Sequence, residues 1–280
     1  MSAVHVAIGV AGVLAATVLG IAGWLWFSWR RFVSYHAHKG LPLPEGELGR
    51  YFRVEILSMI TLGLWSVRAW HRDGWMDAEA PLSGPPVLCI HGITQAGSNY
   101  WGLRRILARR GRSSMAVSYG RVRRTLVAHV PPVVAALREM DGRGPFDVVA
   151  HSMGGVVLRL ALATEPDLAR NIRRVVTLGS PHFGTAAARA IRIGTVRSLG
   201  RRSPEIAEMP PLPKRIRVTT VSVARDLLVY PRDTCHLPGA EHIELPDLGH
   251  TGLLTRPEGI TRVVAVLEAP DDEADTRTAG

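Results

Sequence analysis

The sequence is poor in everything that would specify a disulfide framework, a metal centre or a nucleotide site. Two cysteines in 280 residues, Cys89 inside an apolar run and Cys235 in a polar one, are too few to staple a fold and leave the redox compartment open. Among the 11 histidines the close pair is His36 and His38, with no Cys or carboxylate at a zinc-like interval. It reads as part of a solvated linker, and no metal is expected. No Walker A or G-x-G-x-x-G turn follows an apolar strand-like run, so a nucleotide cofactor has no support and no cofactor is expected. There is no internal repeat, no helix-turn-helix and no aromatic–basic RNA motif, so nucleic acid is not an expected partner either.

What is present is positive charge and apolar length. The net charge is +10, and arginine-rich runs such as "RRILARRGR" and "RVRR" give a surface that draws polyanions, anionic lipid headgroups above all. The composition, 46% hydrophobic and 21% charged, suits one well-buried domain with about 80 residues to spare.

The spare residues lie first. Val6 to Phe27 carry no charge, and at 1.5 Å per residue these 22 residues make a helix of about 33 Å, enough for a bilayer core of about 30 Å. "MSAVH" has no lysine or arginine, and no small-x-small cleavage site follows, so a retained transmembrane helix is expected rather than a cleaved signal. "GWLWFSWRRF" then supplies interfacial tryptophans and arginines. Arg30, Arg31 and Lys39 follow the span and none precedes it, so the positive-inside rule puts the rest of the chain in the cytoplasm, at the bacterial inner membrane if the chain is bacterial. Gly12, Ala16 and Gly20 fall on one helix face and would permit pairing with a second copy.

A second apolar stretch, "YFRVEILSMITLGLWSVRAWHRD", has a charge-free core of only 12 residues, Ile56 to Val67, too short to span. It is expected to be an amphipathic helix lying on the membrane or on the following domain. The chain thus divides into a transmembrane anchor over 1–31, a linker with this helix over 32–83, a globular domain over 84–268, and an acidic tail over 269–280 that should be disordered.

The globular part alternates. "VLCIH", "SMAVSY", "FDVVAHS", "RRVVTLGS", "IRVTTVSVA" and "HIELP" read as six strands, interleaved with helix-like runs, among them one over Thr125–Met140 broken early by Pro131 and Pro132. The expected fold class is α/β, a doubly wound, mostly parallel sheet of about six strands whose working residues lie at the strands' carboxyl ends.

"A-H-S-M-G", residues 150–154, sits between a strand and a helix and matches the pattern of a strained nucleophile elbow, with Ala150 where glycine is usual. Only small side chains fit two residues either side of such a turn, which accounts for Ala150 and Gly154. A serine hydroxyl needs a histidine to take its proton and a carboxylate to orient that histidine. In the order Ser, acid, His, the first carboxylate past a strand is Asp226, with Asp233 and Asp247 as alternatives. His250 follows the next strand, with His236 and His242 as alternatives. A tetrahedral intermediate needs two N–H donors, expected from Met153 and from Ile93 in "HGIT", where Gly92 lets the backbone approach; His91 is expected to be structural.

With these residues in place, the chain from Pro86 to Leu267 resembles the α/β-hydrolase superfamily, and more narrowly bacterial triacylglycerol lipases and esterases. "VLCIHGI", "AHSMGG", "VTLGSPHFGT", "DLLVYP" and "GHTGLL" occur in that family's order, with Ser180 where its "TPHxGT"-like marker has threonine. The resemblance implies the α/β-hydrolase fold with Ser152 as nucleophile, Asp226 as acid and His250 as base, and a small cap over Ala186–Pro213. It implies a membrane-anchored serine hydrolase acting on a hydrophobic ester or acyl lipid. An acyltransferase or thioesterase would use the same acyl-enzyme. An idle membrane-bound interaction domain is the reading from another class, and the occupied triad positions argue against it.

Overall fold

The computed structural model describes residues 3–68, 74–119, 125–189 and 194–270, with the side chains of residues 3–11 and 14 excepted. Two long helices come first, α1 (Ala3–Lys39) and α2 (Leu48–Arg68). A short strand β1 (Gly74–Met76) precedes β2 (Val87–Ile90), α3 (Trp101–Arg109), β3 (Ser114–Val117), α4 (Val130–Asp141), β4 (Phe146–His151), α5 (Met153–Thr164) and β5 (Ile172–Leu178). Two short helices, α6 (Gly194–Ser198) and α7 (Pro204–Ala207), lead to β6 (Arg217–Val223), β7 (Glu241–Leu245), α8 (Gly252–Thr255) and α9 (Pro257–Glu268).

The sheet runs β1-β3-β2-β4-β5-β6-β7. All six strands expected from the sequence are present and pair in parallel. The seventh, β1, is an antiparallel edge on β3, and its three residues fall in what was expected to be linker. The central strands read as unbroken apolar runs because both faces are covered. In β2, Leu88 and Ile90 enter a core built with α4 and α5, while Val87 and Cys89 enter another built with α3 and α9. Alternate side chains of one strand thus hold the two helical layers to the sheet.

Pro131 and Pro132 do not break a helix. They occupy the first turn of α4, where the missing N–H groups would have had no intrahelical partner. Of the expected cap, residues 190–193 lie outside the described residues, and the acidic tail does so from residue 271. Leu199, Ile206, Met209 and Leu212 from the cap region pack on the same core as α4 and α5.

The expected span over Val6–Phe27 falls partly on residues 6–11 and 14, whose side chains lie outside the described residues. Among the described residues no helix is long and apolar enough to cross a membrane. The helix continues past the expected anchor boundary to Lys39, and its apolar side chains are partly spent on the protein itself. Leu25 and Phe32 are buried with Tyr51, Ala186, Leu227 and Tyr230 in a third cluster, and Phe32 meets Tyr230 edge-on at 5.4 Å. His36, expected in a solvated linker, is buried and bonds the carbonyl of Phe32 at 2.9 Å. The α2 helix lies on the α/β domain, where Asn99 donates to Ser66 Oγ at 2.7 Å and to the Leu62 carbonyl.

The Arg112–Asp147 ion pair is wholly inside. Arg112 Nη2 meets Asp147 Oδ2 at 2.6 Å, with both side chains shielded from solvent. Asp147→Ala leaves the guanidinium buried without its counter-charge, and should lower the unfolding free energy in urea by about 3–5 kcal/mol. A loss below about 1 kcal/mol would show that Arg112 is satisfied by the carbonyls of Pro85 and Leu267.

Candidate active site

The turn from β4 into α5 carries Ser152 at φ 54° and ψ −125°, a backbone state that side-chain-bearing residues rarely adopt. The conformation is held from three sides. Ser152 N–H donates to the Leu178 carbonyl at 2.8 Å. Ala150, fully buried, pairs in register with Ile90 on one side and Thr177 on the other. Gly154 faces the carbonyls of Ile90 and His91, and a Cβ there would collide with both. Gly92 lies equally close to the elbow, where a Cβ would come within 2.9 Å of Ser152 Cβ. Small residues at 92, 150 and 154 are therefore a packing requirement of the turn.

Asp226 and His250 come together as the sequence order leads one to expect. Asp226 follows β6, and its Oδ1 accepts the N–H groups of Leu228 and Val229, both at 2.8 Å. This fixes the carboxylate so that Oδ2 meets His250 Nδ1 at 2.7 Å. Both side chains are buried. Thr185, from the "PHFGT" segment, pins the same turn, donating to the Leu228 carbonyl at 2.8 Å and accepting from Tyr230 N–H at 3.2 Å.

Arg225 does not pair with Asp226. Its guanidinium binds the carbonyls of Pro44, Glu45 and Gly46. The alternative partners lie elsewhere. Asp247 faces Arg50 at 3.3 Å with half its side chain exposed. The rings of His236 and His242 meet at a tilt with centroids 3.5 Å apart, and His242 is taken up by Thr220 and Ser222. Asp233 sits on an exposed 3₁₀ turn, Arg232–Cys235.

Among the described residues no hydrogen bond joins Ser152 Oγ to His250. In free enzymes such contacts are often long and tighten only with substrate. Met153 begins α5, so its N–H has no intrahelical acceptor, and Ile93 lies in the loop after β2 that approaches the elbow at Gly92.

Burial alone would lower the pKa of His250, but the charge of Asp226, its hydrogen bond and the charge of Glu55 outweigh this and raise it above the usual histidine value. His151, next to the serine, is the opposite case. Burial first, then the proximity of His250, push it down to about 3, so it stays neutral. Its ring nitrogens lie 3.0 Å from Gln95 Oε1 and 3.1 Å from the His250 carbonyl. His91 is structural, as expected: it is buried, stacks on Tyr119 at 4.2 Å, and accepts the Tyr119 N–H.

Three neighbours of the site, Gln95, His151 and Glu55, escape sequence reasoning. His151 and Gln95 stand beside recognised motifs, and Glu55 is a lone carboxylate among apolar residues of a helix. An NMR pH titration should find His250 protonating above the usual histidine midpoint and His151 remaining neutral to about pH 3. Asp226→Asn should bring the His250 midpoint down, because charge and hydrogen bond both favour the protonated ring. An unchanged midpoint would contradict the assignment of this pair.

The segment 139–203, which holds the elbow and the "PHFGT" run but neither Asp226 nor His250, matches the family model described as a PGAP1-like alpha/beta domain. Solved structures extend the likeness over the sheet. The mature lipase of Bacillus licheniformis superposes with a TM-score of 0.55 at 16% identity, over 69% of this chain and 96% of that one. A monoacylglycerol lipase of Paleococcus ferrophilus gives 0.51 at 14%, over 69% and 96%. Lipase B of Aspergillus fumigatus gives 0.56 at 13% over 70% of this chain, which spans only 56% of that longer protein. The likeness is one of fold: the chain has the α/β-hydrolase-like fold of these solved lipases.

Proposed function

We propose that the protein is a serine ester hydrolase working at a membrane on hydrophobic esters. The observation that carries this reading is the buried 2.7 Å contact of Asp226 with His250 on the same sheet as a serine at a positive-φ elbow. Ser152 Oγ attacks the ester carbonyl while His250 Nε2 takes its proton, and Asp226 keeps the other ring N–H directed at itself. The N–H groups of Ile93 and Met153 hold the oxyanion. His250 returns the proton to the departing alcohol, leaving an acyl-Ser152 ester. Water then gives its proton to His250 and attacks the acyl carbon, and the acid departs with Ser152 restored. No metal or cofactor enters these steps.

Hydrophobic substrates are favoured by the surroundings of His250. His250 joins Trp24, Leu25, Met59, Leu227 and Leu228, together with Ser28, Tyr51, Glu55 and Thr251, in lining a small cavity of about 30 Å³ between the two amino-terminal helices and the Asp226 turn. Val13, Leu19, Trp26 and Phe27 of α1 are exposed, as are Leu57, Leu64 and Val67 of α2. Large apolar side chains in that number suit contact with lipid. Arg30, Arg31 and Lys39 suit anionic headgroups, such as those of the cytoplasmic leaflet of a bacterial inner membrane.

Assays on p-nitrophenyl esters of graded chain length, with and without anionic vesicles, test this directly. Turnover should favour longer acyl chains and rise with vesicles, and Ser152→Ala should lower kcat by about 10⁴-fold or more. The Ala150→Gly variant should keep its activity, since the missing methyl only relaxes the turn. A folded protein that turns over none of these esters, or a Ser152→Ala variant as active as the wild type, would overturn the assignment.

A further inference from the structure

We propose that Glu55, carried on α2 outside the α/β domain, is a positioning residue for His250, so that the amino-terminal helix pair completes the catalytic machinery. The inference rests on the reading of Ser152, Asp226 and His250 as a triad.

Glu55 is 2% exposed, on the face of α2 that also buries Tyr51 and Ser58. A buried carboxylate is costly unless its oxygens are satisfied and its charge is answered. Among the described residues no arginine or lysine forms an ion pair with it. Its oxygens instead take the N–H of Thr251 at 2.8 Å and of Gly252 at 3.3 Å, the two residues that follow His250. On the other side of the histidine, Gly249 lies so close that a Cβ would collide with the Glu55 carboxylate. Glu55 therefore grips the His250 loop both before and after the imidazole.

The cation that answers its charge is the imidazolium formed when His250 takes the serine proton. The groups facing His250 are Asp226 from the turn after β6, Glu55 and the Tyr51 phenol from α2, and the neutral ring of His151 from β4. Burial raises the pKa of Tyr51 well above its usual value, so the phenol is uncharged, and the two carboxylates set the field. Burial raises the Glu55 pKa, which favours the neutral acid, while the Thr251 bonds and the charge of His250 act the other way, so a proton on His250 favours the ionised form of Glu55. The other triad loop is tied to the same segment. Arg225, next to Asp226, binds the carbonyls of residues 44–46 and lies 5.5 Å from the Tyr51 ring.

The test uses the full chain with a p-nitrophenyl ester, reading kcat, KM and the pH profile beside thermal unfolding and fluorophosphonate labelling of Ser152. Glu55→Gln should lower kcat by about ten- to a hundredfold with KM little changed, and should move the acid limb of the profile to lower pH. Glu55→Asp, which keeps the charge with a shorter reach, should hold the limb in place and recover part of kcat. A folded Glu55→Gln variant with wild-type kcat and limb, or one that loses only thermal stability, overturns the proposal. If Glu55→Gln does not fold, Glu55→Asp is decisive: reduced kcat with an unmoved limb supports the proposal, and wild-type kcat overturns it. A wild-type chain that neither labels nor hydrolyses esters overturns the triad reading itself, a failure distinct from one confined to position 55.

Discussion

A serine held at φ 54° and ψ −125° is the constraint around which the rest of the structure is arranged. Such a conformation costs about 1–3 kcal/mol and persists only where its surroundings over-determine it. Here β2 and β5 flank β4 in parallel, their ends supply the carbonyls and N–H contacts that trap the turn, and Gly154 lets α5 start against the end of β2. The buried apolar strands are thus the support of the elbow, and the elbow aims α5 back across the sheet to bury Val156, Val157 and Leu158.

The second organising feature is charge placed where water cannot reach it. The His250 loop is held between carboxylates of distant origin: Asp226 from the turn after β6, and Glu55 from a helix, 196 residues before the Thr251 that it binds. Asp226 is fixed by its own turn, and that turn by Thr185, while the α2 carboxylate holds the loop on the other side. The amino-terminal helices are therefore a wall of the site. The same pair leaves large apolar side chains exposed on its outer side.

The part of this legible in the sequence is the part encoded by local pattern. "VLCIH" and "FDVVAHS" announce strands buried on both faces, and the chain order Ser152, Asp226, His250 leads to the pair that meets at 2.7 Å. The apolar run of α1 is less legible for a physical reason: hydropathy does not distinguish lipid from a protein surface, and Leu25 near the end of the run is buried on protein. Pro131 and Pro132 resemble helix breakers until their place in the first turn is known. Strand β1, three residues long and antiparallel, carries too little periodicity to be seen. Glu55 and Gln95 were missed because their meaning lies in contacts across the fold, and nothing in "RVEIL" or "GITQ" encodes those contacts.

The central claim, that Ser152 passes through a covalent acyl ester, is tested most directly by intact-mass and peptide analysis of protein quenched during turnover of a slowly hydrolysed p-nitrophenyl ester. The account predicts a mass increase of one acyl group on the peptide containing Ser152, appearing with a burst of nitrophenol and absent from Ser152→Ala. Steady ester hydrolysis with no acyl group on that peptide would contradict it.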